Sequence, residues 1–473
     1  MERRFELRKE ALLAECEVAP CVFRGAIGRL ERFVEPFASL LVRKEQQQHA
    51  LTFLRGLVSD LDRKNTEAIA YRGDQKRKDL QHFMGESNWD DRPLRMELAQ
   101  QVGQKIGCVN GVIVFDPSAF PKKGTESVGV KRQWCGRLGK IDNCQVGIYM
   151  GYVSSQERAL VDVRLYLPEE WAKDRKRRKR CRVSKEVRFK TRHKLALEML
   201  DEKGHLLPHA WVTGDDEMGR STAFRRELRS RDEHYVLDVP CNTLVRDLQT
   251  EPPAYGGRGA KPKTAFVRAD AWCRALPKSA WTRIEVRDAE KGPLVVDIVK
   301  CRVRAKTDRR RVGPEEMLVV IRSRDERGKL KHDYHLSNAP AETKLDEFAR
   351  AAKAENRIEE CIKRGKSEAG LADYQVRSWP GWHHHQTLSL ITAWFLILET
   401  RRGKKMDTSD DGSTDPRRHR AVAAFRFRVR SPRTHRPRTH PKTPTQPTRP
   451  SLSLETPQQV ATIEHRKKTD IEQ

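Results

Sequence analysis

In the stretch VIVFDPSAFPKKG, residues 112 to 124, the carboxylate of Asp116 directly follows four residues of buried-strand character. Acidic groups seldom enter cores unpaired, so Asp116 is either the solvated end of a strand or a carboxylate held there for catalysis or metal binding. In HAWVTGDDEMGRS, Asp215 stands in the same way between a short strand and a helix. That is the C-terminal end of a strand, where ligand crevices form in α/β sheets, although Asp is also a favoured helix cap. In ENRIEECIKRGKSE, Glu359 and Lys366 are seven residues apart and share a helix face, beside an apolar stripe of Ile358 and Ile362. A solvated charged face is the plainer account of that segment. Three carboxylates on separate segments repel one another unless a cation sits among them, and hard divalent ions such as Mg²⁺ prefer oxygen ligands. Two such ions roughly 3.5 to 4 Å apart stabilise both the attacking and the leaving oxygen of an in-line phosphodiester displacement. In a basic protein, that site belongs to a nuclease or a strand transferase.

The elements that would position these groups follow from periodicity. From about Glu31 to Val102, apolar residues recur at three and four with no β-branched run, which predicts a helical N-terminal domain. From Val112, VIVF, CQVGIYMGYV and ALVDVRLYL predict three successive strands separated by polar turns. A strongly basic run, Asp174 to Arg180, precedes a helical pattern. HAWVT, RSTAFRRELRSR and YVLDVP then form a β-α-β unit with parallel strands. Residues 241–340 are β-rich and different in kind. Helical patterns resume at Ala341 and continue into an apolar helix starting near Leu388.

Charge narrows the partner. The 473-residue chain carries 94 Lys and Arg against 66 Asp and Glu, a net charge of +28, which suits a polyanion such as nucleic acid better than a small neutral substrate. The longest apolar run, LSLITAWFLILE, falls short of the roughly 20 residues that span a bilayer. MERRFELRKEALLAE has no signal-peptide pattern, so a cytoplasmic protein is expected. The ten cysteines are scattered; Cys16 and Cys21 come nearest to a pair, and reduced structural thiols are expected. His383, His384 and His385 point about 100° apart on a helix and cannot readily share a metal, which leaves polar or DNA contacts. Trp379 and Trp382 are expected in the core. Arg177 and Arg178, in the basic run, form an electrostatic footprint for DNA, and Lys122 and Lys123 are placed to touch phosphates beside a scissile bond.

The segments FDPSAFPKKGTESVGV, RLGKIDNCQVGIY, GDDEMGRSTAFR, RIEECIKRGKSEAGL and YQVRSWPGWHHHQTLSL resemble the DDE transposases of bacterial insertion sequences, and the likeness runs to about Lys405. The resemblance implies an α/β fold. It consists of an RNase-H-like mixed sheet flanked by helices, with the first Asp on the first strand, the second on the fourth and the Glu on a later helix. These map to Asp116, Asp215 and Glu359 as catalytic residues and ligands of two Mg²⁺ ions, for which Mn²⁺ can substitute. Between Asp215 and Glu359 lie more residues than a bare core needs, and the β-rich segment accounts for them as an insertion. The implied organisation is an N-terminal region for DNA-end binding and dimerisation (1–105), a first part of the catalytic core (106–240), an insertion (241–340), C-terminal core helices (341–402) and a low-complexity basic tail (403–473). Relatives carry Tyr seven and Arg four positions before the Glu, and Lys seven after it. Lys366 matches, but Ala352 and Glu355 stand at the first two places, so Arg350 or Arg357 is expected to make the phosphate contact, with Glu360 as a weaker choice for the third carboxylate. The implied partners are double-stranded DNA, as terminal inverted repeats and target, and a second copy in the DNA complex, in a bacterial, nucleoid-associated setting. The rival expectations are an inactive relic that still binds DNA and an RNase-H-like nuclease without strand transfer.

From Met406 the composition changes to an Arg, Pro and Thr-rich tail with nothing to bury, and disorder is expected. Codons for MDTSDDGSTDPRRHRAVAA, read one base later, can give WTPAMTVPQIREGIALLLR, an amphipathic helix, so a frameshift near codon 406 is a further expectation. Reading the DNA across that codon decides it.

Overall fold

The computed structural model describes residues 25–287, 294–324 and 328–411, with side chains as far as residue 403. Cys16, Cys21 and the tail beyond 411, most of the segment that would follow the expected frameshift, lie outside these residues.

Among the described residues five helices come first: Ala26–Ala38 (α1), Lys44–Val58 (α2), Thr66–Arg72 (α3), Arg77–Gly85 (α4) and Arg92–Ile106 (α5). Their apolar faces do not close on a core of their own. Leu30, Val34, Phe53 and Leu57 belong to one continuous apolar cluster with the sheet residues and with Leu388, Ile391 and Phe395. Those last three lie on the long C-terminal helix α14 (Trp379–Asp411), which begins nine residues before the apolar run that announced it. Phe33 packs on Phe395 with ring centroids 5.2 Å apart, and Arg29 pairs with Glu399 at 2.6 Å. The polar Trp379–Gln386 turns are helical because their side chains find main-chain partners, described below.

The sheet begins with Val112–Pro121 (β1), Lys131–Cys135 (β2), Lys140–Val153 (β3) and Arg158–Leu165 (β4). Two short helices follow, Glu169–Lys173 (α6) and Arg175–Arg180 (α7), and then helix Arg192–Lys203 (α8). Next come Trp211–Gly214 (β5), Asp216–Gly219 (α9), Thr222–Ser230 (α10) and Tyr235–Asp238 (β6). β1 runs antiparallel to β3 and parallel to β5, β3 pairs with β4, and β5 runs parallel to β6. The resulting order β4-β3-β1-β5-β6 is the RNase-H-like arrangement. β2 is an extra strand folded back on the start of β3 through the Gly136–Gly139 turn, too short and too charged to be read from periodicity.

The insertion supplies Leu244–Asp247 (β7), Val267–Arg268 (β8), helix Ala269–Ala275 (α11), Thr282–Arg287 (β9), Leu294–Lys306 (β10), Val312–Arg324 (β11) and Leu330–Ser337 (β12). It extends the same sheet: β12 pairs antiparallel with β6, and the order continues β12-β11-β10-β7-β8. On one face it has a second apolar cluster, around Val245, Val303, Leu318 and Leu336. The chain then returns to the core through Leu345–Ala352 (α12) and Ala354–Glu368 (α13).

The basic run expected as an open footprint is helical. Asp174 caps α7 by accepting the Arg177 N–H at 2.9 Å, which satisfies one of the free donors of a helix start.

Candidate active site

Asp116 does not stand at a strand end. β1 continues to Pro121, and Asp116 is its fifth residue, level with Tyr149 of β3. What ends is the neighbour: the last register pair of β1 with β5 is Phe115 with Gly214. From Asp116 onward β1 has lost one ladder partner, so Pro117 and Pro121 are tolerated there and the opening beside the strand forms the pocket. Asp215 is the residue that follows Gly214, so the divergence of two parallel strands brings the two aspartates to one place. Asp215 is also a cap, accepting the Met218 N–H at 3.1 Å. The cap and the pocket are therefore the same geometry: the bond that fixes the first turn of α9 also orients the carboxylate.

The turn holding Asp215 is tight. A Cβ at Gly219 would lie 1.9 Å from the Asp238 carbonyl oxygen, so only glycine lets α9 sit against the end of β6. Gly219→Ala is expected to cost about 1 to 3 kcal/mol of stability through overpacking and to lower DNA cleavage by displacing Asp215. Thermal unfolding and a nicking assay check it; unchanged values in both would show that the turn has room.

Helix α13 closes the pocket, with Ile358, Cys361 and Ile362 buried beneath it. The pocket, of ≈ 900 Å³, is lined by Asp116, Ser118, Asp215, Glu355, Glu359 and Lys366, among others. Burial first, and then the negative field of Glu359, raises Asp116 to about 7, with Lys366 opposing. Burial also raises Asp215 well above the usual carboxylate range, aided by Asp116 and opposed by the Met218 N–H. Lys366 donates to Ser118 Oγ at 2.8 Å and lies over the Phe120 ring at 4.8 Å. Ser118, two residues beyond Asp116 on the same face of β1, thus anchors the cation that faces the acids.

Glu355 was missed as a site residue. It lies one helical turn before Glu359, lines the same pocket, and is raised well above its usual range by burial and by Asp238, Asp215, Asp116 and Glu359. It was visible in the sequence only as the wrong residue at a place where relatives carry Arg. Trp134 was also missed. It stands on β2 among the pocket's lining residues and is 60% exposed. Arg137 and Lys363 line the pocket as well, from the β2–β3 turn and from α13.

Several expected contacts fall elsewhere. Arg350 donates to the Asn110 carbonyl at 2.5 Å and Arg357 to the Ser154 carbonyl at 2.8 Å, and neither is among the pocket's lining residues, where the phosphate contact was expected. The i, i+4 geometry of α13 turns Arg357 to the opposite side from Glu355 and Glu359. Glu360 pairs with Arg158 at 2.7 Å and is absent from the lining, whereas Glu359 is part of it. Lys122 is half-buried over the Tyr374 ring at 3.5 Å, and burial lowers it to about 8; Lys123 is exposed. Arg177 stacks on Trp171 at 3.6 Å and Arg178 donates to the Ser184 carbonyl at 2.6 Å. Both brace α7 from within, with edges left toward solvent. His383, His384 and His385 are buried; His383 donates to the Trp379 carbonyl and His385 to the Gly370 carbonyl, while the His384 ring sits between the Met84 and Trp89 carbonyls. They are polar core residues and not a DNA surface. Trp382 is buried, as expected.

The donor set suits a hard divalent cation by type and by charge: carboxylate oxygens, among which Glu359 raises Asp116, Asp116 raises Asp215 and all three raise Glu355, with no thiol or imidazole in the lining. Among the described residues, no three His, Cys, Asp or Glu side chains stand close enough to hold a metal as they lie. Asp116, Asp215 and an acid of α13 would have to draw together around the ion.

Comparisons with known proteins give the family. The family DDE superfamily endonuclease matches residues 36–293, more than half of the chain. A probable transposase for insertion sequence element IS701 from Microchaete diplosiphon is 39% identical over 99 residues, 20% of this chain and 25% of that protein, so the match spans about a quarter of the relative's length. Among solved structures, a piggyBac transposase synaptic complex with hairpin DNA aligns over 81% of this chain and 70% of the other, at 9% identity and a TM-score of 0.35. With a DDE endonuclease match spanning β1, both aspartates and part of the insertion, this chain belongs to the DDE superfamily endonucleases.

Proposed function

We propose that this protein is a DNA transposase that cuts at the ends of an insertion sequence and joins the freed ends to target DNA. The observation that carries the reading is the convergence of Asp116, Asp215 and Glu359, from three distant segments, on one pocket in a chain of net charge +28. Asp116, Asp215 and Glu359 would hold two Mg²⁺ ions, or Mn²⁺ in their place. Ions bound there supply charge neutralisation for the attacking and leaving oxygens of a phosphodiester displacement. The chain's own groups do the rest. β1 and the α9 cap fix the backbone that carries the two aspartates, so that only their side chains and α13 would have to move toward the ions. Lys366, held by Ser118, places a positive charge beside Asp116 for a non-bridging phosphate oxygen, while Arg137, Lys363 and Trp134 border the path of the strand. The first reaction is attack of water on the phosphodiester at the element end, breaking the P–O bond and releasing a 3′-hydroxyl. In the second, that hydroxyl gives up its proton and attacks a target phosphodiester, joining the element's 3′ end to the target 5′-phosphate as the target's P–O3′ bond breaks and its 3′-hydroxyl leaves. The N-terminal helices would read the inverted repeats, and two copies would pair the two ends.

Incubating the protein with element-end DNA and Mg²⁺ tests this: nicked ends and then joined products are expected. Binding without nicking would identify an inactive relic, and nicking without joining a nuclease. No helix among the described residues is long and apolar enough to cross a membrane.

A further inference from the structure

The outer edge of the insertion carries charge that the pocket does not use. The loop 251–266 and the β10–β11 turn 307–311 hold six cations, Arg258, Lys261, Lys263, Arg309, Arg310 and Arg311, against two acids, Glu251 and Asp308. All six are exposed, and among the described residues none enters an ion pair. The other acids nearby are engaged. Asp247 accepts the N–H groups of Gln249 and Thr250 and the Trp272 indole, and Asp270 pairs with Arg268 at 2.8 Å. Between loop and turn, Phe266 is held by Arg246 and Lys306, 4.2 and 4.4 Å from its ring. Gly257 and Gly259, both at φ +81, have open space around them, so the loop's backbone can lie close to a ligand.

We infer that this edge is a second DNA-binding surface, which grips the phosphate backbone of a duplex apart from the carboxylate pocket. The inference rests on the reading of the chain as an enzyme acting on DNA. Sheet register sets the separation. Asp238 at the end of β6 is level with His335, then Val319, then Lys300. The turn begins after Lys306, about 20 Å further along at roughly 3.3 Å per residue, in the direction away from the ends of β5 and β6 where the pocket opens. That distance is about six phosphates along one strand, so the three arginines of the turn would meet a duplex well away from the scissile bond; the loop leaves β7 beside Arg302 and returns at Phe266, which Lys306 at the start of the turn holds. Exposed cations spread over two separate segments match a repeating line of phosphates, and the stacked Phe266 holds the two segments together.

The test uses the full chain carrying Arg258→Glu, Lys261→Glu, Arg309→Glu and Arg311→Glu, with a matching set of Gln substitutions as a milder version. Binding is measured across a salt series to two labelled duplexes, one carrying the element end and one of unrelated sequence. For at least one duplex, affinity should fall at least tenfold at low salt. The slope of log K against log salt should become shallower by about 3 to 4, as expected for four lost phosphate contacts. Mg²⁺-dependent nicking of saturating end DNA should persist. Loss confined to the unrelated duplex assigns the edge to target DNA, and loss confined to the end duplex assigns it to the element. Wild-type affinity and slope on both duplexes, in variants that fold with the wild-type thermal midpoint, would overturn the inference. If the wild-type chain itself bound neither duplex, the proposed function would fall instead.

Discussion

Asp116→Asn is expected to lose DNA cleavage by about a thousandfold or more while binding element ends with nearly unchanged affinity. The substitution keeps the size and one oxygen of the side chain but removes its negative charge, at the position where β1 loses its β5 neighbour and the pocket opens. A thousandfold corresponds to about 4 kcal/mol at 1.36 kcal/mol per decade, within the several kcal/mol that charge stabilisation by a bound cation can supply. Binding should survive because Asp116 is an acid, and DNA contact depends on the basic surface. A nicking assay with Mg²⁺ alongside a gel-shift titration reads both quantities. Nicking at the wild-type rate would remove Asp116 from the chemistry. The same pair of assays ranks the acids of α13: Glu359→Gln is expected to cost more than Glu355→Gln. The reverse order would move the third carboxylate one turn toward the start of the helix.

The second large effect is on stability and lies far from the pocket. Asp162 on β4 is fully buried, and around it stand Arg95 of α5 and Lys203 at the end of α8, each only 2% exposed; Lys203 Nζ is 2.8 Å from Asp162, and Arg95 also reaches Asp91 at 2.6 Å. This cluster ties the N-terminal helices to the sheet. Asp162→Ala would leave two buried cations short of their shared partner, which costs about 3 to 5 kcal/mol, a large part of the roughly 5 to 15 kcal/mol that holds a folded protein. Urea unfolding should show the loss, and a change below about 1 kcal/mol would mean that water reaches the cluster. Acid dependence follows the same groups. Burial works against the charged form of each acid, yet Arg95, Arg164 and Lys203 hold Asp162 well below its ordinary value, and Arg95 holds Asp91 at about 2. Depressed folded-state values contribute stability above the ordinary value near 3.8 that is lost as pH falls below it, for Asp91 through about 2. The wild-type protein should therefore unfold in acid below about pH 4, and Asp162→Ala should show a shallower dependence over that range.

Much of the core was legible in the chain. Alternating and continuous apolar runs announced β1, β3 and β4, and the β5-α10-β6 unit was read as parallel because its connections are short. Reading stopped where local pattern and tertiary role part company. Asp116 looks like the end of a strand because its apolar run stops at Phe115, but the ladder to β3 carries the strand on to Pro121. β2 has no apolar alternation and exists only because β3 offers it an edge. The three histidines looked polar enough for a surface, whereas main-chain carbonyls from α4 and from the end of α13 wait for them in the core.

What the sequence determined by itself is which residues could do chemistry and the kind of partner their setting suits: three carboxylates on separate strand and helix segments, and an excess of positive charge that suits a polyanion. Residue type and short-range periodicity decide those, and both are local. Which acids share a pocket, which arginines face it and where the insertion attaches were decided by the tertiary structure. A side chain's direction depends on the register and packing of elements more than a hundred residues apart. Thus Glu355 entered the pocket beside Glu359, Arg350 and Arg357 turned away to carbonyls, and six exposed cations gathered on an edge that only the pairing of β12 with β6 creates.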